Sequence, residues 1–488
     1  MNFKPLLKLF SILVMLFSLS FVIPMVVSLI FNDSALSVFI VTFVIIFSLG
    51  LIGWLFSRDA DDDLNQKDGF IIITFFWVVL SVAGSIPFIL IGMPLVDAFF
   101  ESMSGITTTG ATVISNLDDL PESVLFYRQL LQWMGGMGLI VLAIAVMPLL
   151  GIGGGQIYKT EIPGAMNDQK LTPRIKETAQ ALWLIYLVLT VLCAIFYYFA
   201  GMSWFDAISH SLSTVSIGGF STHNESIGYF NNGLVEAVCI TFMLLSALSF
   251  TLHYFAFYMK KPFKYLQDPE LKFFISILLV IFSISVMVNL FTLNSEASIR
   301  ELLFHTVSIV TTTGFAIGDT SQWNPSIGFL LLIGAFIGAC SGSVGGGIKS
   351  WRVMIMINYA YINLQKMIHP NAVISLKIGT KNVENDVASS VWGFFSIYVI
   401  SFIILLLGLV VTGLDFESSF SAIGACLNNL GPGLGEVSQT YETVSPVAAF
   451  PEVVELNIGH FLIGEAIFLG LDPAIRQMRR LMDEARAV

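Results

Sequence analysis

The chain has 488 residues, of which 56% are hydrophobic and 12% charged, and its mean hydropathy is +0.83. No soluble domain covers that much apolar surface. Its continuous apolar runs match the roughly 20 residues needed to cross about 30 Å of hydrocarbon, so the chain reads as an all-α polytopic membrane protein and not as a β-barrel. Net charge is −11, and the two signs are segregated along the sequence.

In chain order the candidate spans are 6–31, 36–57, 69–93, 124–150, 178–200, 232–259, 271–294, 326–358, 387–413 and 453–471. The first follows Lys4 and Lys8 but is too long for a signal peptide and lacks a small-residue cleavage site, so it reads as a retained helix. With the N-terminus in the cytoplasm, only Arg128 and Arg300 of the 23 Lys and Arg fall outside, a strong positive-inside signal. The outer segments are acidic, with Asp118, Asp119, Glu225, Glu236, Glu296 and Asp319 among their charges, which makes a cation-attracting vestibule. Cys193, Cys239, Cys340 and Cys426 lie in apolar or pore-like segments and read as small buried side chains.

Four short segments between long apolar runs share one pattern: Glu101–Gly110, His210–Gly219, His305–Gly314 and, more loosely, Ala422–Gly431. Their final glycines are separated by 109, 95 and 117 residues, the mark of a repeated unit of helix, re-entrant segment and helix. Six residues before the glycine stand Ser104, Ser213, Ser308 and Ala425. Thirteen residues before it stand Asp97, Asp206 and Glu301, with Asp415 and Glu417 flanking the start of the fourth segment. A carboxylate there caps a short pore helix and suits the positive end of its dipole. His210 and His305 share a position with Glu101 and Ala422 and read as polar residues packed on the pore helix.

After such a helix the chain must turn back toward the surface with unusual φ/ψ, which glycine adopts at least cost. Non-helical backbone at membrane depth survives only where it is buried in protein or lines a watery cavity. The expected filter lines are Thr108-Thr109-Gly110, Ile217-Gly218-Gly219, Thr312-Thr313-Gly314 and Asn429-Leu430-Gly431. A dehydrated cation is expected at the carbonyls of Thr108, Thr109, Ile217, Gly218, Thr312, Thr313, Asn429 and Leu430.

The eighth span breaks at residues 340–349, where Gly342, Gly345, Gly346 and Gly347 cannot hold a helix in lipid. With Ser343 and Lys349 they form an expected mobile loop on the cytoplasmic side of the third filter. Gly135, Gly136 and Gly138 read as helix packing behind a filter. The 151–155 glycine run is not followed by Gly-Lys-Ser/Thr, so no phosphate-binding loop is expected. Six scattered histidines do not build an enzyme site, and no loop is long enough for a receptor domain.

Thr107-Thr-Thr-Gly-Ala-Thr112, Ser213-Thr-Val-Ser-Ile-Gly-Gly-Phe-Ser221, Thr311-Thr-Thr-Gly-Phe-Ala316 and Asn428-Asn-Leu-Gly-Pro-Gly-Leu-Gly435 resemble the Trk/Ktr/HKT potassium-uptake superfamily, nearest the bacterial TrkH type. The resemblance covers roughly residues 1 to 445. It implies four membrane-pore-membrane units around one pore: 68–175, 176–268, 269–381 with the gating loop, and 382–475. Two extra helices precede them at 1–67, and a basic tail follows at 476–488. It implies K⁺ uptake across the bacterial inner membrane, with K⁺ as transported ion and no organic cofactor. A homodimer in membrane lipid and a cytosolic nucleotide-binding regulatory ring are the implied partners, with no nucleic acid. The alternative inside the superfamily is a sodium-permeable form or a K⁺/H⁺ or K⁺/Na⁺ symporter. TrkH-type chains carry Gly-Arg-Leu-Glu in the last helix. Here the stretch reads Gly464-Glu465-Ala466-Ile467, and Arg476–Arg486 reads either as an amphipathic interfacial helix or as a disordered tail.

Overall fold

A computed structural model describes residues 3–59, 66–146, 175–292, 297–318, 320, 323–372, 374–379, 381–383, 385–438 and 440–442. Among these the protein is helical, apart from one two-residue antiparallel ladder of β1 (Lys377–Ile378) on β2 (Lys381–Asn382). Five helices are long and apolar enough to cross a membrane: Lys4–Phe31, Leu36–Ser57, Gln180–Ala200, Pro269–Phe291 and Val387–Val411. A sixth is counted if Gly233–Ala247 and Phe250–Phe257, which meet at 95°, form one span. The expected span at 453–471 and the tail lie outside the described residues, as does the 151–155 glycine run.

The chain opens with a hairpin, α1 (Phe3–Ser18) and α2 (Val22–Phe31) against α3 (Leu36–Ser57). Gly50 and Gly53 of α3 let Ser11 and Met15 of α1 approach so closely that a Cβ at either glycine would collide with them. The hairpin packs on α4 (Gln66–Leu90) and α6 (Glu122–Val146) through Phe21, Phe39, Phe88 and Tyr127, whose rings lie 5.5–5.6 Å from Tyr127. Tyr127 satisfies its buried hydroxyl by donating to Gly84 O at 2.8 Å.

One pattern then recurs four times. A long helix leads to a helix of 12 residues, and an extended segment follows. The short helices are α5 (Leu95–Ile106), α8 (Trp204–Val215), α13 (Ile299–Val310) and α17 (Phe416–Leu427). At 1.5 Å per residue each spans about 18 Å, too little to cross a bilayer. They are preceded by α4, α7 (Ile175–Ala200), α12 (Pro269–Phe291) and α16 (Asn385–Val411). The first three are followed by α6, α9 (Gly233–Ala247) and α14 (Pro325–Ile337).

The helix starts correct the expected capping. Asp97, Asp206 and Glu301 are third residues of their helices, not caps. Ser203 and Ser298 are the caps, accepting from Asp206 N and Glu301 N at 3.0 and 3.2 Å, and Glu301 reaches back to Ser298 N to complete a capping box. Asp415 is the cap of the fourth, accepting from Ser418 N at 3.0 Å. The acids still sit in the first turn, where the dipole favours them.

Two helices are interrupted. α9 bends into α10 (Phe250–His253), which the short α11 (Lys264–Gln267) follows, and α14 ends at Gly338, after which the chain forms a loop before α15 (Ser350–Ile368). The largest buried cluster fills the space among α7 to α9 and α12 to α14, around Tyr186, Tyr197, Phe274 and Phe304. All four cysteines are buried and free.

Candidate functional site: a four-segment ring closed by a glycine loop

Each 12-residue helix ends in the same way. The residue two before the glycine is left-handed: Thr108 at φ 63°, Ile217 at 54°, Thr312 at 64° and Asn429 at 61°. Its N–H donates to the second-last helical carbonyl, and the next N–H to the third-last. The latter bonds are Thr109 N to Ser104 O, Gly218 N to Ser213 O, Thr313 N to Ser308 O and Leu430 N to Ala425 O, at 2.7–2.9 Å. This is the Schellman arrangement, which usually places glycine in the left-handed position. Here that position holds Thr, Ile, Thr and Asn, and the glycine comes two residues later, also left-handed, at φ 83°, 78°, 88° and 87° for Gly110, Gly219, Gly314 and Gly431. Sequence reasoning placed unusual backbone at the glycines and missed it at the residues two before. The aligned Ser104, Ser213 and Ser308 supply a backbone carbonyl to the turn, which is why Ala425 fits as well.

The four turns meet in a ring. A Cβ on Gly110 would overlap Gly218 O; on Gly219, Thr313 O; on Gly314, Leu430 O; and on Gly431 it would stand 2.7 Å from Thr109 O. Each glycine therefore abuts the carbonyl of the following segment, and the fourth closes on the first. The seam between fourth and first is also bonded through side chains: Thr109 Oγ1 donates to Asn429 Oδ1 at 2.7 Å, and Asn429 Nδ2 donates to Thr108 Oγ1 at 2.9 Å.

The extended segments beyond the glycines are held by the matching positions on the short helices. Glu101 accepts from Thr112 Oγ1 at 2.9 Å and Val113 N at 3.1 Å. His210 Nε2 bonds Ser221 Oγ at 3.0 Å, and His305 Nε2 lies 2.9 Å from Ile317 O. In the fourth segment, where the position is Ala422, Ser421 bonds both N and O of Leu434, at 2.8 and 3.0 Å. Arg128, read from sequence as an external charge, is fully buried: its Nε meets Glu101 Oε1 at 2.7 Å, and its guanidinium lies 4.2 Å from the Phe220 ring.

Gln132 was not visible as a site residue. From α6 its Nε2 donates to Gly218 O at 2.6 Å, and its Oε1 accepts from Phe220 N at 3.0 Å. It fills the space left by the missing side chain of Gly218, where a Cβ would strike its amide. Of the eight carbonyls expected to hold K⁺, that of Gly218 is thus engaged by a side chain. Gly135 and Gly136 of the same helix pack against Ile106 O and Tyr186 Oη with no room for a Cβ.

Beneath the ring lies the 338–349 loop. Gly346 N donates to Thr312 Oγ1 at 2.6 Å and Gly347 N to Asn428 O at 3.0 Å. A Cβ at Gly345 would approach Thr311 O to 2.8 Å, and one at Gly346 would overlap Asn428 O. Gly342, Gly347 and Lys349 have φ of 72°, 78° and 78°. Lys349 turns its ammonium back onto the loop, donating to Gly345 O and, at 3.4 Å, to Ser343 O.

On the opposite side a cavity of about 550 Å³ opens over Gly110, Gly219 and Gly314. His223 on its wall bonds Asp118 at 2.8 Å, lies 3.4 Å from Asp206 and stacks on Tyr229 at 3.5 Å. Burial pulls its imidazole down, but Asp206 and Asp118 outweigh that and hold it above the usual histidine value.

A family model described as TrkH, cation transport protein, matches residues 35–450. The chain is similar to the Trk system potassium uptake protein TrkH of Halomonas elongata, 46% identical over 475 residues covering 96% of this chain and 98% of that one. It is also similar to the TrkH of Escherichia coli K12, 43% identical over 465 residues, 94% and 96% of the two chains. The crystal structure of the potassium transporter TrkH from Vibrio parahaemolyticus superposes with a TM-score of 0.85 at 42% identity, covering 96% of this chain and 98% of that one. A second family model, described as pyridoxal phosphate biosynthesis protein PdxJ, matches residues 432–484, the stretch that contains Gly464-Glu465-Ala466-Ile467.

Proposed function

The chain belongs to the TrkH family of cation transport proteins, and on that premise we propose that it takes up K⁺ through the ring of four glycine-ended segments. The observation that carries the reading is the closed relation of each glycine to the next segment's carbonyl. Four strained turns with one hydrogen-bond pattern, held from behind by buried polar side chains, fix backbone oxygens at a spacing the chain cannot easily relax. K⁺ sheds water for these oxygens and is released when the 342–347 loop leaves the underside of Thr312 and Asn428. The curated relatives named as potassium uptake proteins support the choice of ion.

In this reading the four units run 68–175, 176–268, 269–381 and 382–475, after two extra helices at 1–67. The mouth cavity faces outward and the glycine loop faces the cytoplasm, which agrees with the positive-inside distribution. The protein sits in the inner membrane as a homodimer, and a nucleotide-binding ring docks on the basic cytoplasmic loops and moves the glycine loop. The relatives' Trk-system names support a multi-component assembly.

Growth rescue of a K⁺-uptake-deficient bacterium at low K⁺, with Rb⁺ uptake measured in parallel, tests the reading. Rescue with Rb⁺ uptake is expected. A membrane-inserted chain that carries Na⁺ and excludes Rb⁺ would overturn it.

A further inference from the structure

Glu270 has no part in the ring, yet it is buried to 5% exposure near the start of α12. One of its oxygens, Oε1, accepts two backbone bonds from distant sequence: Ser341 N at 2.5 Å and Trp351 N at 3.1 Å. Ser341 is where the chain enters the glycine loop, and Trp351 is the second residue of α15, just after the loop ends. A single carboxylate oxygen therefore ties both ends of the loop together and to a third helix. It also stands at two helix N-termini, those of α12 and α15, where N–H groups lack helical partners and the dipole favours negative charge.

The rest of the loop is held differently. Phe250 N donates to Gly342 O at 2.9 Å from the bend after α9, and the tip touches Thr312 and Asn428 by the two bonds described above. Those tip contacts are neutral hydrogen bonds and must break for ions to pass. The base bonds converge on one buried oxygen and join segments 71 and 81 residues away in sequence.

We propose that Glu270 is the anchor of the gate: it fixes Ser341 and Trp351 so that residues 342–347 swing as a flap on a stationary base. It is a positioning residue that acts on ion flow through the loop and not through the filter. This rests on the glycine loop being the gate, as proposed above.

The test uses the full chain in proteoliposomes, with Rb⁺ and Na⁺ flux measured for wild type, Glu270→Gln and Glu270→Asp. Gln keeps an oxygen at the Oε1 position; Asp keeps the charge but, one methylene shorter, cannot reach both N–H groups. Losing one of the two backbone bonds is expected to raise Rb⁺ leak through Glu270→Asp roughly tenfold, with the Rb⁺/Na⁺ ratio unchanged, while Glu270→Gln stays within about threefold of wild type. In parallel, a cysteine placed at Ser343 should react faster with a water-soluble thiol reagent in the Glu270→Asp background. A Glu270→Asp protein with wild-type leak and wild-type labelling overturns the anchor, as does a changed Rb⁺/Na⁺ ratio without a change in leak. Wild-type protein with no Rb⁺ flux at all would instead overturn the transport reading.

Discussion

Gln132 donates its side-chain amide to the carbonyl oxygen of Gly218 across 86 residues of sequence, and the same amide accepts from Phe220 N. The second segment has no threonine beside its glycine, whereas Thr109 and Thr313 bond the hydroxyls of Thr107 and Thr311 at 2.8 Å. Gln132 supplies from another helix the brace that the first and third segments carry themselves. Gln132→Leu keeps the bulk and removes both bonds. At about 1 kcal/mol per net hydrogen bond, it is expected to lower Rb⁺-over-Na⁺ discrimination between fivefold and thirtyfold, read as a flux ratio in proteoliposomes. An unchanged ratio would leave Gln132 as packing only.

Gly314 tests the ring directly. Its φ is 88°, and a Cβ there would stand 2.7 Å from Pro432 Cδ and overlap Leu430 O. Left-handed geometry alone costs an L-residue roughly 1–2 kcal/mol, before the neighbouring carbonyl has to move. Gly314→Ser should therefore weaken K⁺ selectivity. Gly408→Ser, at a position with nothing within 4 Å, should leave it intact. Equal selectivity in the two variants would argue against Leu430 O and its three counterparts as ion ligands.

The Glu101–Arg128 pair is the buried charge pair behind the first segment, and each partner is fully buried. Removing one member of such a pair strands the other, at a cost of about 3–5 kcal/mol. Arg128→Met is expected to lower the thermal midpoint in detergent sharply. Combining it with Glu101→Gln should recover more than half of that loss. A double variant no better than the single one would mean that Arg128 acts mainly through Phe220 and Ser221 O, which it also touches.

His223 gives a pH dependence. Its folded value is raised by Asp206 and Asp118 against the pull of burial, so its contribution is complete below the ordinary histidine range of about 6.5 and is lost as pH rises through the folded value. It joins the 117–119 turn to the second segment's outer loop, together with Asn224, which accepts from Leu117 N at 2.8 Å. Wild-type protein should lose thermal stability as pH rises above about 6.5, and His223→Gln should flatten that slope. Parallel slopes would exclude His223 as the titrating group.

What could be read from sequence and what could not follow one division. Requirements that one segment places on its own backbone are visible in its spelling. The glycines at the four turns, a break in the eighth span and short helices between longer ones were legible, because conformation and length are local, although the break read at 340–349 begins earlier, after Ile337. Partners were not. Glu270 meets Ser341 over 71 residues, Thr109 meets Asn429 over 320, and nothing in either neighbourhood names the other. Arg128 looked like an outer charge because sequence counts a cation but does not show the carboxylate 27 residues away that buries it. The left-handed Ile217 was hidden for the opposite reason. A β-branched residue disfavours that geometry, and only the ring around it holds it there.

The last segment makes the most consequential prediction. The proposed four-unit reading calls for an apolar closing helix in the fourth unit, whereas the sequence of 453–471 holds Glu455, His460 and Glu465, and 432–484 match the PdxJ family model. By insertion scales a charged residue mid-helix costs on the order of 2.5–3.5 kcal/mol, a cost that Glu465 would bring to a span over 453–471, while Glu455 would lie at its end. Yet Tyr441, just before it, donates to Gly431 O at 2.8 Å and packs on Phe100, which ties the fourth turn to the first. Replacing residues 443–488 with the corresponding segment of the Vibrio parahaemolyticus relative keeps Tyr441 and supplies the C-terminal sequence of a TrkH chain. The hybrid is expected to carry several times more Rb⁺ per inserted molecule than the present chain. Equal flux would show that the present segment closes the fourth unit despite its charges. Flux in the hybrid alone would place the defect in the tail and leave the four-segment ring intact.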